Sequence, residues 1–129
     1  MKSFTQFLLL GFCFILFGCQ KKPFDYRNKF LGDYTFVTHV HSVYGISPVI
    51  IHDTTYTNDG KIWYGSDENK VSISFSGGGT SEFTIYEDGT LDGGEGCKGE
   101  FESTKKVQYS CYYASPGSSV ENDITGEKK

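Results

Sequence analysis

No stretch of this chain keeps a 3.6-residue apolar period over three turns, which argues against a helical or α/β fold. The common catalytic signatures are missing too. There is no Gly-X-Ser-X-Gly elbow, no glycine-rich phosphate loop and no His-Glu-X-X-His pair, and the many serines have no evident base. The chain is therefore expected not to be an enzyme and to need no cofactor. Basic residues are in deficit, 12 Lys and Arg against 16 Asp and Glu for a formal charge of −4. Such a balance gives no phosphate-binding footprint, so nucleic acid is not expected as a partner. Long apolar runs are also lacking. The single candidate, near the N-terminus, is interrupted by Thr5 and Gln6 and stops at Gln20-Lys21-Lys22. It falls short of the roughly 20 apolar residues that cross a bilayer.

What that run does have is the shape of a secretory signal: Lys2 near the start, then no charge from Phe4 to Phe17. It ends in Leu16-Phe17-Gly18-Cys19. This tetrad resembles the lipobox of bacterial lipoproteins, an aliphatic residue, a tolerant position, a small residue and then cysteine. The resemblance implies that Cys19 is acylated and becomes the first residue of the mature protein. Ordinary secretory cleavage and an uncleaved anchor are the two other readings of the same run. Several acyl chains on one cysteine make a lasting anchor, since each buried methylene contributes ~0.8 kcal/mol and one chain binds only marginally. The expected organisation is a signal over 1–18, a polar lipidated tether over 19–29 and a folded domain over 30–129. Cleavage leaves 111 residues and, with Lys2 lost, 11 basic against 16 acidic side chains. That length suits one domain with one core.

From residue 30 onward, short runs of Thr, Val, Ile, Tyr and Phe alternate with Gly, Asn, Asp and Ser, the composition of many strands. Strands are expected near 34–43, 50–57, 61–64, 70–75, 82–87, 90–102 (broken by glycines), 106–114 and 120–127. Asp59-Gly60 and Asp88-Gly89 read as type I′ hairpin turns, Gly77-Gly78-Gly79 as a loop, and Ser115-Pro116-Gly117 as a turn. Short links between consecutive strands imply an antiparallel meander. About eight strands would leave exposed edges unless the sheet closes. The expected fold is therefore all-β, a small barrel or flattened barrel or sandwich, with the strand near Ile124 closing on that near Phe36. The order KFLGDYTF, DTTYTNDGKI, NKVSISF, EDGTLDG, GEFESTKKVQYS and ITGEKK resembles small lipoproteins of Bacteroidota-type bacteria, often described as lipocalin-like. That resemblance implies fold and a bacterial envelope location, lipid-anchored and most often at the outer membrane, and carries over no active site.

Of four cysteines, Cys13 lies in the signal and Cys19 at the lipobox, leaving Cys97 and Cys111. If the chain turns through Ser103-Thr104-Lys105, opposed residues have numbers summing to 208, and these two cysteines face each other. The same register puts Cys97, Gly99 and Phe101 against Val107, Tyr109 and Cys111 on one apolar face, an agreement independent of the sulfurs. An oxidising envelope permits the disulfide. A buried reduced pair and a reactive or metal-binding thiol are the alternatives.

Three other groups are candidates for chemistry. His39 and His41 project from one strand face, and His52 on the next strand makes a third imidazole for a metal such as Zn²⁺; half-exposed histidines on a strand are the plainer reading. Asp88, Asp92 and Glu95 offer oxygens among glycines, but their spacing matches no EF-hand. Tyr56 and Trp63, facing each other across an Asp59-Gly60 turn, and Tyr64 beside them would make an aromatic platform for a carbohydrate or apolar ligand; packing within the sheet competes with that role. Together these point to a lipid-anchored, non-catalytic binding or interaction module, expected to be monomeric, with an envelope protein or a small apolar ligand as its partner. A barrel filled by Phe36, Ile73, Phe75, Phe83, Ile85 and Phe101 would exclude a carrier role.

Overall fold

Alternation of apolar and polar residues dictates the architecture, because in an antiparallel meander each strand turns one parity inward. In a computed structural model, which describes residues 24–129, eight antiparallel strands close into a barrel in sequence order. They are β1 (Gly32–Tyr44), β2 (Ile50–Tyr64), β3 (Lys70–Phe75), β4 (Gly79–Ile85), β5 (Thr90–Asp92), β6 (Cys97–Ser103), β7 (Lys106–Ser115) and β8 (Ser118–Lys128). Closure pairs β8 with β1, Phe36 opposite Gly126 and Thr38 opposite Ile124. Residues 1–18 and Cys19 lie outside the described residues.

The count of eight strands matches the expectation through two differences that offset each other. Asp59-Gly60 is not a turn: β2 runs straight through it, with Tyr34 opposite Gly60 on one side and Phe75 opposite it on the other. A Cβ at residue 60 would stand 2.3 Å from the Ser74 carbonyl oxygen and 2.8 Å from the Phe36 ring. Glycine is there to let backbone and ring approach. Conversely, 90–102 is two strands joined by Gly93–Gly96, a glycine-rich bend that brings β6 back beside β5. Asp88-Gly89 does sit in a hairpin, although not of type I′. Gly89 N–H donates to the Tyr86 carbonyl at 2.9 Å, and only Gly89 has positive φ (95°) among the turn residues. Type I′ needs positive φ at both central residues.

The core is built by the inward parity. Tyr34 and Phe36 of β1, Ile62 of β2, Val71 and Ile73 of β3, Phe83 and Ile85 of β4, Leu91, Phe101, Val107 and Ile124 are all buried. Phe30 stacks on Phe101 at 4.2 Å and Phe83 meets Tyr109 edge-on at 4.9 Å. The Tyr34 hydroxyl donates to the Phe30 carbonyl at 2.7 Å, and burial pushes its phenol up to about 12.

One end of the barrel is plugged by the chain just before β1. Asp25 to Lys29, inside the stretch expected to be tether, are part of the folded unit. Arg27, in a 3₁₀ turn over Tyr26–Lys29, is only 1% exposed. Its guanidinium pairs with Asp25 at 2.6 Å and donates to the carbonyls of Asp67 (2.8 Å) and Lys70 (2.7 Å). The Tyr26 hydroxyl donates to the Ile85 carbonyl at 2.7 Å. Five donors in a planar fork suit Arg to this task, and the polar composition of the segment concealed it.

β6 and β7 pair with residue numbers summing to 208 from Cys97–Cys111 to Phe101–Val107, shifting only at the turn. The two sulfurs are joined in a disulfide. Two outcomes follow for equilibrium unfolding in urea. Replacing both Cys97 and Cys111 with Ala should cost about 3 kcal/mol, the chain-entropy value for a loop of this length; an unchanged midpoint would show that the sulfurs are not bonded. Gly60→Ala should cost about 3 kcal/mol, the upper range for overpacking, because two of its new contacts are backbone or strand-held. A cost below that of an exposed Gly77→Ala control would overturn the close-approach account.

Candidate functional site

Strand length decides where the barrel is filled and where it is open. The β3–β4 hairpin ends at Phe75 and Gly79, level with Gly60, and the β5–β6 bend ends at Gly93–Gly96. β1, β2, β7 and β8 continue well beyond that level, to a hairpin over Gly45–Val49 and a turn at Pro116-Gly117. Among the described residues, the backbone of β2 from Ile50 to Asn58 pairs with β1 alone, so the wall is low on the β3 side.

The result is a cavity of about 420 Å³ at the mouth. Its floor is Thr38, Phe75, Tyr109 and Ile124, and its walls include Tyr56, Asn58, Ser81, Tyr113 and Asn122. This lies near the lower end of the roughly 300–1,000 Å³ range of small-molecule sites. Among the described residues, no Asp, Glu, Lys, Arg or His lines it. Thr38 is 8% exposed, and its hydroxyl, alone among the buried side-chain polar atoms described, has no hydrogen-bond partner. The Asn58 amide is oriented by donation from Nδ2 to the Ser76 carbonyl at 3.1 Å. Tyr113 rests its hydroxyl 3.6 Å from the Cys97 sulfur. Burial raises the Tyr109 phenol above its ordinary value, so it is a neutral hydroxyl at any physiological pH. Hydrogen bonding and aromatic contact are what this lining offers.

Around the mouth the β1–β2 hairpin exposes Tyr44, Ile46, Val49, Ile50 and Ile51, with Ile46 87% exposed. A second trough of about 460 Å³ runs on the outside of β6–β8 past Lys98, Glu100 and Gln108. Its shallow charged walls hold no orphaned buried group.

The sequence candidates are dispersed. Tyr56 stands in the mouth opposite Thr38. Trp63 is seven residues along the same strand, hence on the outer face, opposite Ser72. Tyr64 belongs to the plugged end, where the Arg27 guanidinium sits 4.7 Å over its ring and its hydroxyl donates to Asn28. The expected aromatic platform does not exist, because it required a turn at residues 59–60.

The histidine triad fails for a related reason. β1 and β2 pair His39 with Thr55, His41 with Asp53 and Ser42 with His52. His52 therefore shares the inward parity of Ser42, while His39 and His41 point out. His41 Nδ1 lies 2.5 Å from Asp53 Oδ1, His39 Nδ1 2.8 Å from Thr55 Oγ1, and His52 Nδ1 3.1 Å from Thr54 Oγ1. Among the described residues no three His, Cys, Asp or Glu side chains are placed to hold a metal. Asp88 and Asp92 serve turns, accepting from Thr90 N–H and Gly94 N–H at 2.9 Å each. Cys19 lies outside the described residues.

Thr38, Asn58 and Asn122 carry no motif that marks them as candidates in the sequence. A signal existed for Thr38: it follows Tyr34 and Phe36 in the inward parity of β1, a hydroxyl where the alternation calls for an apolar side chain.

No family model matches the chain, and no curated protein matches it. Among solved structures, the crystal structure of the ywiB protein from Bacillus subtilis is similar at 15% identity and a TM-score of 0.31, covering 80% of this chain and 98% of that one. So low a score carries nothing about function.

An unpaired buried hydroxyl destabilises the empty protein, so Thr38→Val, which keeps the shape, should raise stability by about 1 kcal/mol. A urea midpoint that falls would show that the hydroxyl has a partner.

Proposed function

We propose that this chain is a lipid-anchored, non-catalytic binding module of a bacterial envelope, held by acyl chains on Cys19 and receiving a small ligand in the barrel mouth. The mouth cavity with its orphaned Thr38 hydroxyl carries the binding half of the reading. A barrel serving only as a structural block gains nothing from leaving one half of its interior open. The anchoring half rests on Leu16-Phe17-Gly18-Cys19 at the end of a charge-free run.

The two halves agree in geometry. Successive hairpins of a meander lie at alternate ends, so Arg27 and Tyr26 plug the end opposite the cavity. Six residue steps separate Cys19 from Asp25, where the chain docks, and these extend at most about 20 Å. A short tether leaving the plugged end keeps that end near the bilayer and the mouth turned away from it. The protein works as a monomer without cofactor or nucleic acid, and membrane attachment requires no apolar surface of the domain. The lipocalin-like carrier of a purely apolar ligand is the narrower reading; the open mouth favours it and the polar groups around the wall count against it.

Expression of the full chain in a Gram-negative host fed alkyne-palmitate tests the anchor. The wild type should carry label and partition into detergent, and Cys19→Ala should lose both. An unlabelled, water-soluble wild type would overturn the anchor.

A further inference from the structure

We infer that the ligand of the mouth is a neutral saccharide of one or two pyranose rings, with the Thr38 hydroxyl bonding one of its hydroxyls at the cavity floor. This rests on the reading of the mouth as a small-molecule site.

Three observations select this class. First, among the described residues the lining holds no ionisable group that is charged at neutral pH, and a charge buried without a partner is strongly disfavoured. Acidic and basic ligands are excluded on that ground. Second, hydrogen-bonding groups stand on four different strands around the wall: Thr38 on β1, Asn58 on β2, Ser81 on β4 and Asn122 on β8. An acyl chain would strip water from all of them and return no hydrogen bond, at about 1–3 kcal/mol for each group left unpaired. A flat heterocycle meets polar groups along part of its edge. A pyranose carries hydroxyls around its whole perimeter, which is how this wall is arranged. Third, aromatic surface from Tyr56, Tyr109 and Tyr113 is interleaved with those groups, and the C–H faces of a sugar ring pack on aromatic faces while its edges hydrogen-bond. A buried hydroxyl without a partner then finds its explanation: Thr38 is satisfied when the site is full.

The test uses the full chain, processed and released from membranes in detergent. Saturation-transfer NMR is run with methyl β-glucoside, methyl α-mannoside, N-acetylglucosamine, maltose and lactose, with glucuronate as the charged counterpart and 1-N-phenylnaphthylamine fluorescence as the apolar probe. At least one neutral sugar should bind, more tightly than glucuronate. Thr38→Val should weaken it about tenfold, the worth of one buried neutral hydrogen bond, while melting no lower than the wild type, and Thr38→Ser should restore binding. Sugar binding that Thr38→Val leaves unchanged would overturn the placement at this floor. Binding of the apolar probe with no sugar would overturn the saccharide and leave the small-ligand mouth standing. If neither sugars nor probe bind, the small-ligand reading falls with it.

Discussion

The ring of Phe36 is the feature around which the interior is organised. It lies across the barrel between two strands that carry no side chain at its level: a Cβ at Gly60 on β2 would come within 2.8 Å of it, and one at Gly126 on β8 within 2.6 Å. Two glycines from opposite sides admit one large ring, and that ring, with Phe75 at 5.3 Å and Tyr34 at 5.8 Å, closes the barrel's cross-section. On the plugged side of it the inward side chains Phe30, Tyr34, Ile62, Val71, Ile85, Leu91 and Phe101 are buried. On the other side the strands continue while Thr38, Asn58, Ser81 and Asn122 take inward positions, and the mouth opens. The division between filled core and binding cavity is thus a matter of one aromatic residue and the two glycines that make room for it.

This constraint also explains what could be read in the sequence and what could not. Local turn chemistry treats Asp59-Gly60 and Asp88-Gly89 alike. At the second the glycine takes positive φ and the chain reverses; at the first the same dipeptide is inside a strand, because a contact from β1 needs the missing side chain. Nothing within a few residues of Gly60 reports the presence of Phe36, which is 24 positions away. The consequences spread: once β2 is continuous, the odd separation of Tyr56 and Trp63 places them on opposite faces, and a platform built from both dissolves. Parity along a strand was legible. Where a strand stops was not.

Register shows the same limit. For β6 and β7 the link is short and two independent clues, the cysteines and the apolar alternation, select the same pairing, so the facing of Cys97 and Cys111 follows from the sequence. For β1 and β2 the link spans Gly45–Val49, and a change of one residue in where it reverses moves His52 between faces. No disulfide and no buried apolar pattern marks that outer stretch, where most residues are exposed. A three-histidine set was therefore a coin balanced on one residue of loop. Arg27 was concealed differently: a basic residue in a polar segment reads as solvated surface, and only the carbonyls of Asp67 and Lys70, supplied by a distant loop, make it a buried clasp.

The same parity that fills the core leaves Thr38 where an apolar residue would be more stable, and a valine fits its shape. A group that breaks the local pattern and lowers stability while lining a cavity is the kind of exception expected at a functional site. The barrel tolerates it because its other end is over-determined. The Arg27 clasp and the stacked Phe30 and Phe101 hold that end independently of what the mouth contains. At the mouth the Cys97–Cys111 disulfide ties β6 to β7 in the cavity wall, so a ligand entering there meets strands already cross-linked and loses little affinity to ordering them. On this account the orphaned hydroxyl is the vacant half of a hydrogen bond, and the contacts of the plugged end hold the barrel closed without it.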